Sequence, residues 1–156
     1  MTQQCNYQMD PELLAARVGQ KMTSVDKVGQ RLGMRLDEIR PGYSRIAMPI
    51  TAEMINGHNI CHGGFTFALA DTACAYACNS HNQNALSQAL NIVFLTPGAL
   101  GETLVAEARE SARAGRTATY EIKVTTDDGR VVAVAQAQCR AVRGQMIADE
   151  LPPTNS

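Results

Sequence analysis

The amino-acid sequence predicts an α+β domain in which a curved antiparallel β-sheet wraps around one central helix. Three observations carry this. The stretch from Gly63 to Cys78 is small and apolar on every face, the mark of a helix enclosed by other structure. From Ala85 to Val142 the chain reads as strand after strand, separated by turn signals. Two more strand segments precede the apolar stretch. Helices, two strands, one buried helix and four strands are most simply satisfied by a sheet curled over that helix.

The elements follow in order. Asp10-Pro11-Glu12 reads as an N-cap with Pro at the first helical position, opening a helix through about Met22. Ser24 is the expected cap of a second, short helix, Val25 to Leu32, with Val25, Val28 and Leu32 on one side and Gly33 as its stop. Met34 to Ile39 and Tyr43 to Ile50 read as strands around the turn Arg40-Pro41-Gly42. Residues 51–62 are loop, and the Gly63 to Cys78 helix follows. Then come strands Ala85 to Leu95, Thr103 to Ala112, Thr117 to Thr126 and Arg130 to Val142. In the third of these Tyr120, Ile122 and Val124 alternate with Glu121, Lys123 and Thr125, a half-buried pattern. Asp127-Asp128-Gly129 is a hairpin turn. The strand Ala85 to Leu95 needs cover if it lies at a sheet edge, and pairing with a second copy would supply it. The organisation is a helical segment over residues 1–32, one domain over 33–145 and a loose tail over 146–156.

Composition excludes several functions. A length of 156 residues supports one domain with a single core. A net charge of −1 gives no electrostatic case for nucleic acid. Three Phe, four Tyr and no Trp leave little surface for stacking bases. The first residues lack the apolar core of a signal peptide, and no apolar run is long enough to span a membrane. Five Cys, an odd number, are expected to be reduced thiols of a cytoplasmic protein.

Between Glu53 and Glu102 the only formally charged side chain is Asp71, inside the apolar helix. A carboxylate there is costly to desolvate unless it is hydrogen-bonded or used. Upstream, His62-Gly63-Gly64 opens the same helix, where backbone N–H groups are free to meet an anion or a developing oxyanion. A carboxylate and an oxyanion donor are the minimal parts of a hydrolytic acyl-transfer site. Each residue also has a plainer reading. Asp71 would otherwise be a helix-surface residue, Gly63-Gly64 a tight turn, His62 a structural histidine and Asn56 an Asn-Gly turn. Arg113 and Arg116 would be ordinary hairpin charges. The sequence cluster His58, Cys61, His62, Cys74, Cys78 and His81 lacks zinc spacing, so no metal is expected. Cys61 beside His62 makes a poor thiol dyad, with no third orienting group.

Asn56-Gly57-His58, Cys61-His62-Gly63-Gly64, Leu69-Ala70-Asp71-Thr72-Ala73, Asn91 through Gly98, and Gly101-Glu102-Thr103-Leu104 together carry a resemblance. Over about residues 33–142 the chain resembles the hotdog-fold acyl-CoA thioesterases, and among them the phenylacetate-degradation (PaaI-type) branch. The resemblance implies a catalytic set of Asp71 as general base or nucleophile, Gly63 N–H as the donor that polarises the thioester carbonyl, Asn56 and His62 in support, and Ser87 helping to hold water. It implies coenzyme A contacts at Gly64 and along the turn of Arg113, Gly115, Arg116 and Thr117; Arg suits both a 3′-phosphate and a pyrophosphate. It implies no cofactor and no metal, coenzyme A being part of the substrate.

Helix rise adds a geometric constraint. Gly63 and Asp71 on one helix are about 12 Å apart, so one carbonyl cannot sit within reach of both. If both act on it, they come from two copies of the helix, lying antiparallel. The expected assembly is a dimer with shared sites, within a dimer of dimers. The expected function is hydrolysis of an aryl or arylacetyl acyl-CoA to free acid and coenzyme A. The competing readings are an enoyl-CoA hydratase or dehydratase on the same fold, with His62 as the acting base, and a non-catalytic acyl-CoA sensor. Against the sensor, residues 1–32 carry only four basic residues, too few for a DNA-reading helix pair.

Overall fold

The computed structural model describes residues 9–148. Residues 1–8, with Cys5 and the start read as lacking a signal peptide, and the tail from residue 149 lie outside the described residues. Helix α1, Pro11–Val25, is capped by the Asp10 carboxylate, which accepts from the N–H groups of Glu12 and Leu13. Helix α2, Lys27–Arg31, follows after a single residue. Its cap is Asp26, whose Oδ1 accepts from Gly29 N–H at 2.9 Å, and not the expected Ser24. Ser24 lies inside α1 and turns its hydroxyl back onto the Lys21 carbonyl. The reason is that α1 runs one turn further than its apolar pattern, with Asp26 N–H still bonded to Met22. Gly33, at φ +67°, then takes the left-handed conformation that stops α2.

The six strands are β1 (Arg35–Arg40), β2 (Tyr43–Pro49), β3 (Ala85–Phe94), β4 (Thr103–Ala114), β5 (Thr117–Thr126) and β6 (Val131–Ala141). They form one antiparallel sheet in the order β1-β2-β4-β5-β6-β3. The central helix α3 is Gly63–Asn79, starting at the expected residue. It packs against the sheet while α1 covers β1 and touches α3. The β5 alternation is as read from sequence: Tyr120, Ile122 and Val124 are buried.

Small residues explain how closely the helix and sheet approach. Ala70, Ala73 and Ala77 of α3 meet a sheet face that includes Ala106, Ala108, Ala133 and Ala137, all buried. Ser44 on β2 donates its hydroxyl to the Ala73 carbonyl at 2.6 Å. Cys74 and Cys139 fill the same space, their Sγ atoms 3.4 Å apart across the α3–β6 contact, with Cys78 buried one turn along. At the other end, Gly19 brings α1 onto β1; a Cβ there would lie 2.8 Å from Leu36 Cδ2.

Two expectations are corrected. α3 is not enclosed on every face: Gly64, Phe67, Ala68, Asp71, Thr72 and Ala75, spaced along one stripe, are half-buried or exposed. The sheet covers only one side of a helix, and small apolar composition does not distinguish the covered side from the open one. The segment read as loose from residue 146 is tied at its start, where Ile147 N–H donates to Asn82 Oδ1 and its carbonyl accepts from Asn82 Nδ2. The edge strand β3 leaves Leu86, Val93 and Phe94 exposed.

Candidate active site

The loop before α3 is folded on itself and pinned to the sheet connections. Ile55 and Cys61 form an isolated bridge, and Asn56 N–H bonds the Ile60 carbonyl. Cys61 N–H bonds Gly98 and His62 N–H bonds Met54. Asn56 Oδ1 accepts from His58 N–H at 2.9 Å and so holds the turn, and the residue lines a cavity. His62 is the N-cap of α3, with Nδ1 accepting from Gly64 N–H at 2.9 Å. That assigns Gly64 N–H to the protein itself, although the residue is exposed. Phe65 N–H bonds the His62 carbonyl. Gly63 N–H meets no acceptor among the described residues. Of the N–H groups a helix start leaves over, this one remains to be used.

Gly63 opens into a cavity of about 340 Å³ shared with Asn56, Cys61, Thr66, Phe94 and Pro97. Burial pushes the Cys61 thiol up, away from the thiolate a nucleophile needs.

Asp71 lies two turns further along the unbroken α3, half-buried on its open stripe. No side chain or backbone N–H among the described residues donates to its carboxylate. It lines a different cavity, also about 340 Å³, between α3 and the N-terminal helices. Within one chain, therefore, Gly63 and Asp71 do not converge. Ser87 is exposed on β3, its hydroxyl 3.9 Å from Cys139 Sγ, beside a register shift between Ser87 and Ala89. It lines neither cavity.

The two arginines of the β4–β5 turn have separate situations. Arg113 donates to both carboxylate oxygens of Glu110, at 3.0 and 2.7 Å, and to the Tyr120 hydroxyl. Tyr120 also donates to Glu110, and His81 Nε2 lies 3.1 Å from it. Arg113 is committed to this network. Its guanidinium, ahead of the Tyr120 and His81 bonds, holds the Glu110 carboxyl down at about 2. Because that pKa is depressed in the folded state, its stabilisation is complete above the ordinary carboxylate value of 4.5 and is lost as pH falls toward 2. A Glu110→Gln variant should therefore melt below wild type at pH 7, with the gap closing as acid is added. A constant gap from pH 7 to pH 3 in thermal melts would show that packing, not charge, is lost.

Arg116 follows Gly115, which turns at φ +59°, while Thr117 begins β5 half-buried. Arg116 donates Nε to the Ala141 carbonyl and, with Arg143 and His81, lines an open cavity of about 610 Å³ beyond the end of α3. The gathering of His81 beside Arg116, and of Met22, Val25, Val28 and Met146 around Asp71, was not legible in sequence. Only the fold brings them together, and the one available signal was the pair of valines, Val25 and Val28, at the junction of α1 and α2.

Residues 58–133 match the model of the thioesterase superfamily. The chain is 36% identical to the acyl-coenzyme A thioesterase PaaI of Escherichia coli (strain K12) over 80% of this chain and 89% of that protein. The structure of the E. coli PaaI protein from the phenylacetic acid degradation operon superposes with a TM-score of 0.85, at 34% identity, covering 87% of this chain and 99% of that one. A mutant form of the phenylacetic acid degradation protein PaaI from Thermus thermophilus superposes at 0.72, with 30% identity over 75% of this chain and all of that one.

Proposed function

The chain belongs to the hotdog-fold thioesterase superfamily, on its PaaI-type branch, and from that premise we propose that it is an acyl-CoA thioesterase of aryl or arylacetyl substrates whose sites are each completed by two chains. One observation carries the reading: an N–H at the start of α3 and a carboxylate eight residues later on the same helix, both without a partner among the described residues. The distance between them, about 12 Å, is bridged when a second α3 lies antiparallel beside the first. The open stripe of α3 and the unpaired edge of β3 support such a dimer, and a dimer of dimers built from it.

In this reading the thioester carbonyl oxygen faces Gly63 N–H of one chain, where the helix N-terminus favours developing negative charge. Asp71 of the other chain either deprotonates a water, held with Ser87, or attacks the carbonyl carbon to give a mixed anhydride that water then opens. The sulfur leaves as coenzyme A thiol and the acid is released. His62 works by fixing the loop, since its Nδ1 is already an acceptor for Gly64. Asn56 supports the same carbonyl from the wall of the cavity it shares with Gly63. The chemistry needs no cofactor or metal, and the enzyme is assigned to the cytoplasm; no helix among the described residues is long and apolar enough to cross a membrane. Thiol release from a panel of aryl and alkyl acyl-CoAs tests the activity. Hydration of crotonyl-CoA without thiol release would instead support the hydratase, and binding without turnover the sensor.

The coenzyme A phosphates are placed at Arg116 rather than Arg113, whose charge Glu110 already neutralises. Arg116→Ala is expected to raise KM for acyl-CoA about tenfold and to leave kcat within about twofold, because the nucleotide does not change charge during reaction. A short thioester lacking the nucleotide should be indifferent. Equal losses on both substrates would assign Arg116 to structure.

A further inference from the structure

The cavity that Gly63 opens into is walled in part by the turn after β3, through Thr96, Pro97 and Gly98. One side chain gathers that turn. Arg130, half-buried just before the first residue of β6, donates from Nη1 to the Pro97 carbonyl at 2.7 Å and to Thr96 Oγ1 at 3.2 Å. Its Nη2 donates to both carboxylate oxygens of Glu102, at 2.6 and 2.8 Å. Glu102 in turn accepts from Ala99 N–H at 2.8 Å, so both limbs of the turn meet at one guanidinium. We propose that Arg130 is a positioning residue for the reaction: through the turn of residues 96–102 it sets where the Gly63 N–H stands relative to the thioester carbonyl. The inference rests on Gly63 N–H polarising that carbonyl.

The path from guanidinium to donor is short. Arg130 holds the Pro97 carbonyl, and the next carbonyl along, that of Gly98, accepts from Cys61 N–H at 2.9 Å. Cys61 stands two residues before Gly63 in the loop that leads into α3. There is little slack at the joint. Gly98 is buried, and a Cβ there would lie 2.6 Å from Ile50 Cδ1 and 3.5 Å from Cys61 Cβ. A shift of the turn is therefore passed to Cys61 rather than absorbed. The base of Arg130 is fixed as well. Its N–H donates to Thr126 Oγ1 at 3.1 Å and its carbonyl accepts from Thr126 N–H at 2.9 Å, which ties it to the β5–β6 hairpin. The planar fork of an arginine can serve Thr96, Pro97 and Glu102 together, which the single ammonium of a lysine cannot. As an ion pair this contact is partly exposed and adds little to stability. Its effect should appear in the rate, because a misplacement of about 1 Å at a reacting centre can cost about a hundredfold.

The test is Arg130→Gln, assayed by thiol release with the acyl-CoA that the wild type turns over fastest. It should lower kcat at least about tenfold and leave KM within about twofold. Its melting temperature should stay within about 4 °C of wild type. A mixed dimer then separates positioning from general damage. Paired with an Asp71→Asn chain, the Arg130→Gln chain contributes its intact Asp71 to the site whose Gly63 and Arg130 are both native. Activity should return, up to about half of wild type. A purely structural defect would weaken both ends of the Arg130→Gln chain and give no such return. The Gly63→Pro and Asp71→Asn mixed dimer is run beside it as reference. A folded Arg130→Gln homodimer with kcat within about twofold of wild type overturns the inference while the thioesterase reading stands. So does a mixed dimer that stays as low as its parents when the reference recovers. If neither mixture recovers, the shared site falls and the inference with it, as both do if the wild type turns over no acyl-CoA. Should Arg130→Gln not fold, Arg130→Lys takes its place in every measurement. It keeps the charge beside Glu102 and must still lose at least about threefold in kcat.

Discussion

Asp71→Asn should leave a folded protein that still binds acyl-CoA and turns it over at least a hundredfold more slowly. The substitution keeps the shape of the side chain. It breaks no hydrogen bond, because nothing among the described residues donates to this carboxylate. The melting temperature should therefore be near wild type, and KM or Kd should change little. What is removed is the charge that accepts a proton or attacks carbon. Loss of a general base typically costs about 10²–10⁴ in rate, and loss of a nucleophile can cost more. Single turnover in ¹⁸O-labelled water tests for the anhydride: direct attack by water labels the acid, whereas attack by Asp71 followed by hydrolysis at the Asp71 carboxyl carbon hands an unlabelled protein oxygen to the acid and leaves the label on Asp71. A cleanly folded variant with more than about a third of wild-type kcat would remove Asp71 from the mechanism.

The second large effect is a recovery of activity. Gly63→Pro deletes the free N–H at a position the backbone allows. It is the first residue of α3, and His62 before it is extended at φ −63°, ψ 131°, as a residue preceding Pro must be. A Cβ at Gly63 would lie 3.1 Å from Phe94 Cζ, the outer end of an exposed ring that has room to shift. The Gly63→Pro and Asp71→Asn homodimers should both be inactive. In a mixed dimer one site carries both defects and the other carries neither, so activity should return, up to about half of wild type. A purified, folded mixed dimer as inactive as its parents would mean that the two groups are not shared between chains.

The order of elements was legible because each came with two agreeing signals. Thr117–Thr126 shows strict alternation between two turn signals, and its bounds were read without error. Gly63 was legible as the start of α3 from the change in composition together with the Gly63-Gly64 pair. The partner of Arg113 was not. Along a regular strand, residues three apart face opposite ways. In β4 the register shifts between Glu110 and Ala112, which returns Arg113 to the face of Glu110. No glycine marks that bulge, so the sequence offered a free arginine where the fold supplies an ion pair. The cap of α2 was missed for a related reason. Ser24 and Asp26 are both good caps, and the choice depends on where α1 stops, which packing of α1 on β1 decides. The open stripe of α3 is the third case. Alanines facing a sheet and alanines facing a second helix are the same letters.

The thiols between α3 and β6 give the molecule a chemical clock. Cys74, Cys78 and Cys139 are at most 2% exposed, and hydrogen bonding to Cys139 together with burial pushes the Cys74 and Cys78 thiols up. An alkylating reagent meets them only when the helix lifts from the sheet. Where reclosing outpaces modification, the labelling rate is the opening equilibrium constant multiplied by the rate of a free thiol. Anything that straps α3 down, whether a bound acyl-CoA or a neighbouring copy, slows the clock by the factor it contributes to holding the helix closed. The labelling time of three cysteines that take no part in the chemistry thus becomes a direct measure of how firmly the catalytic helix is held.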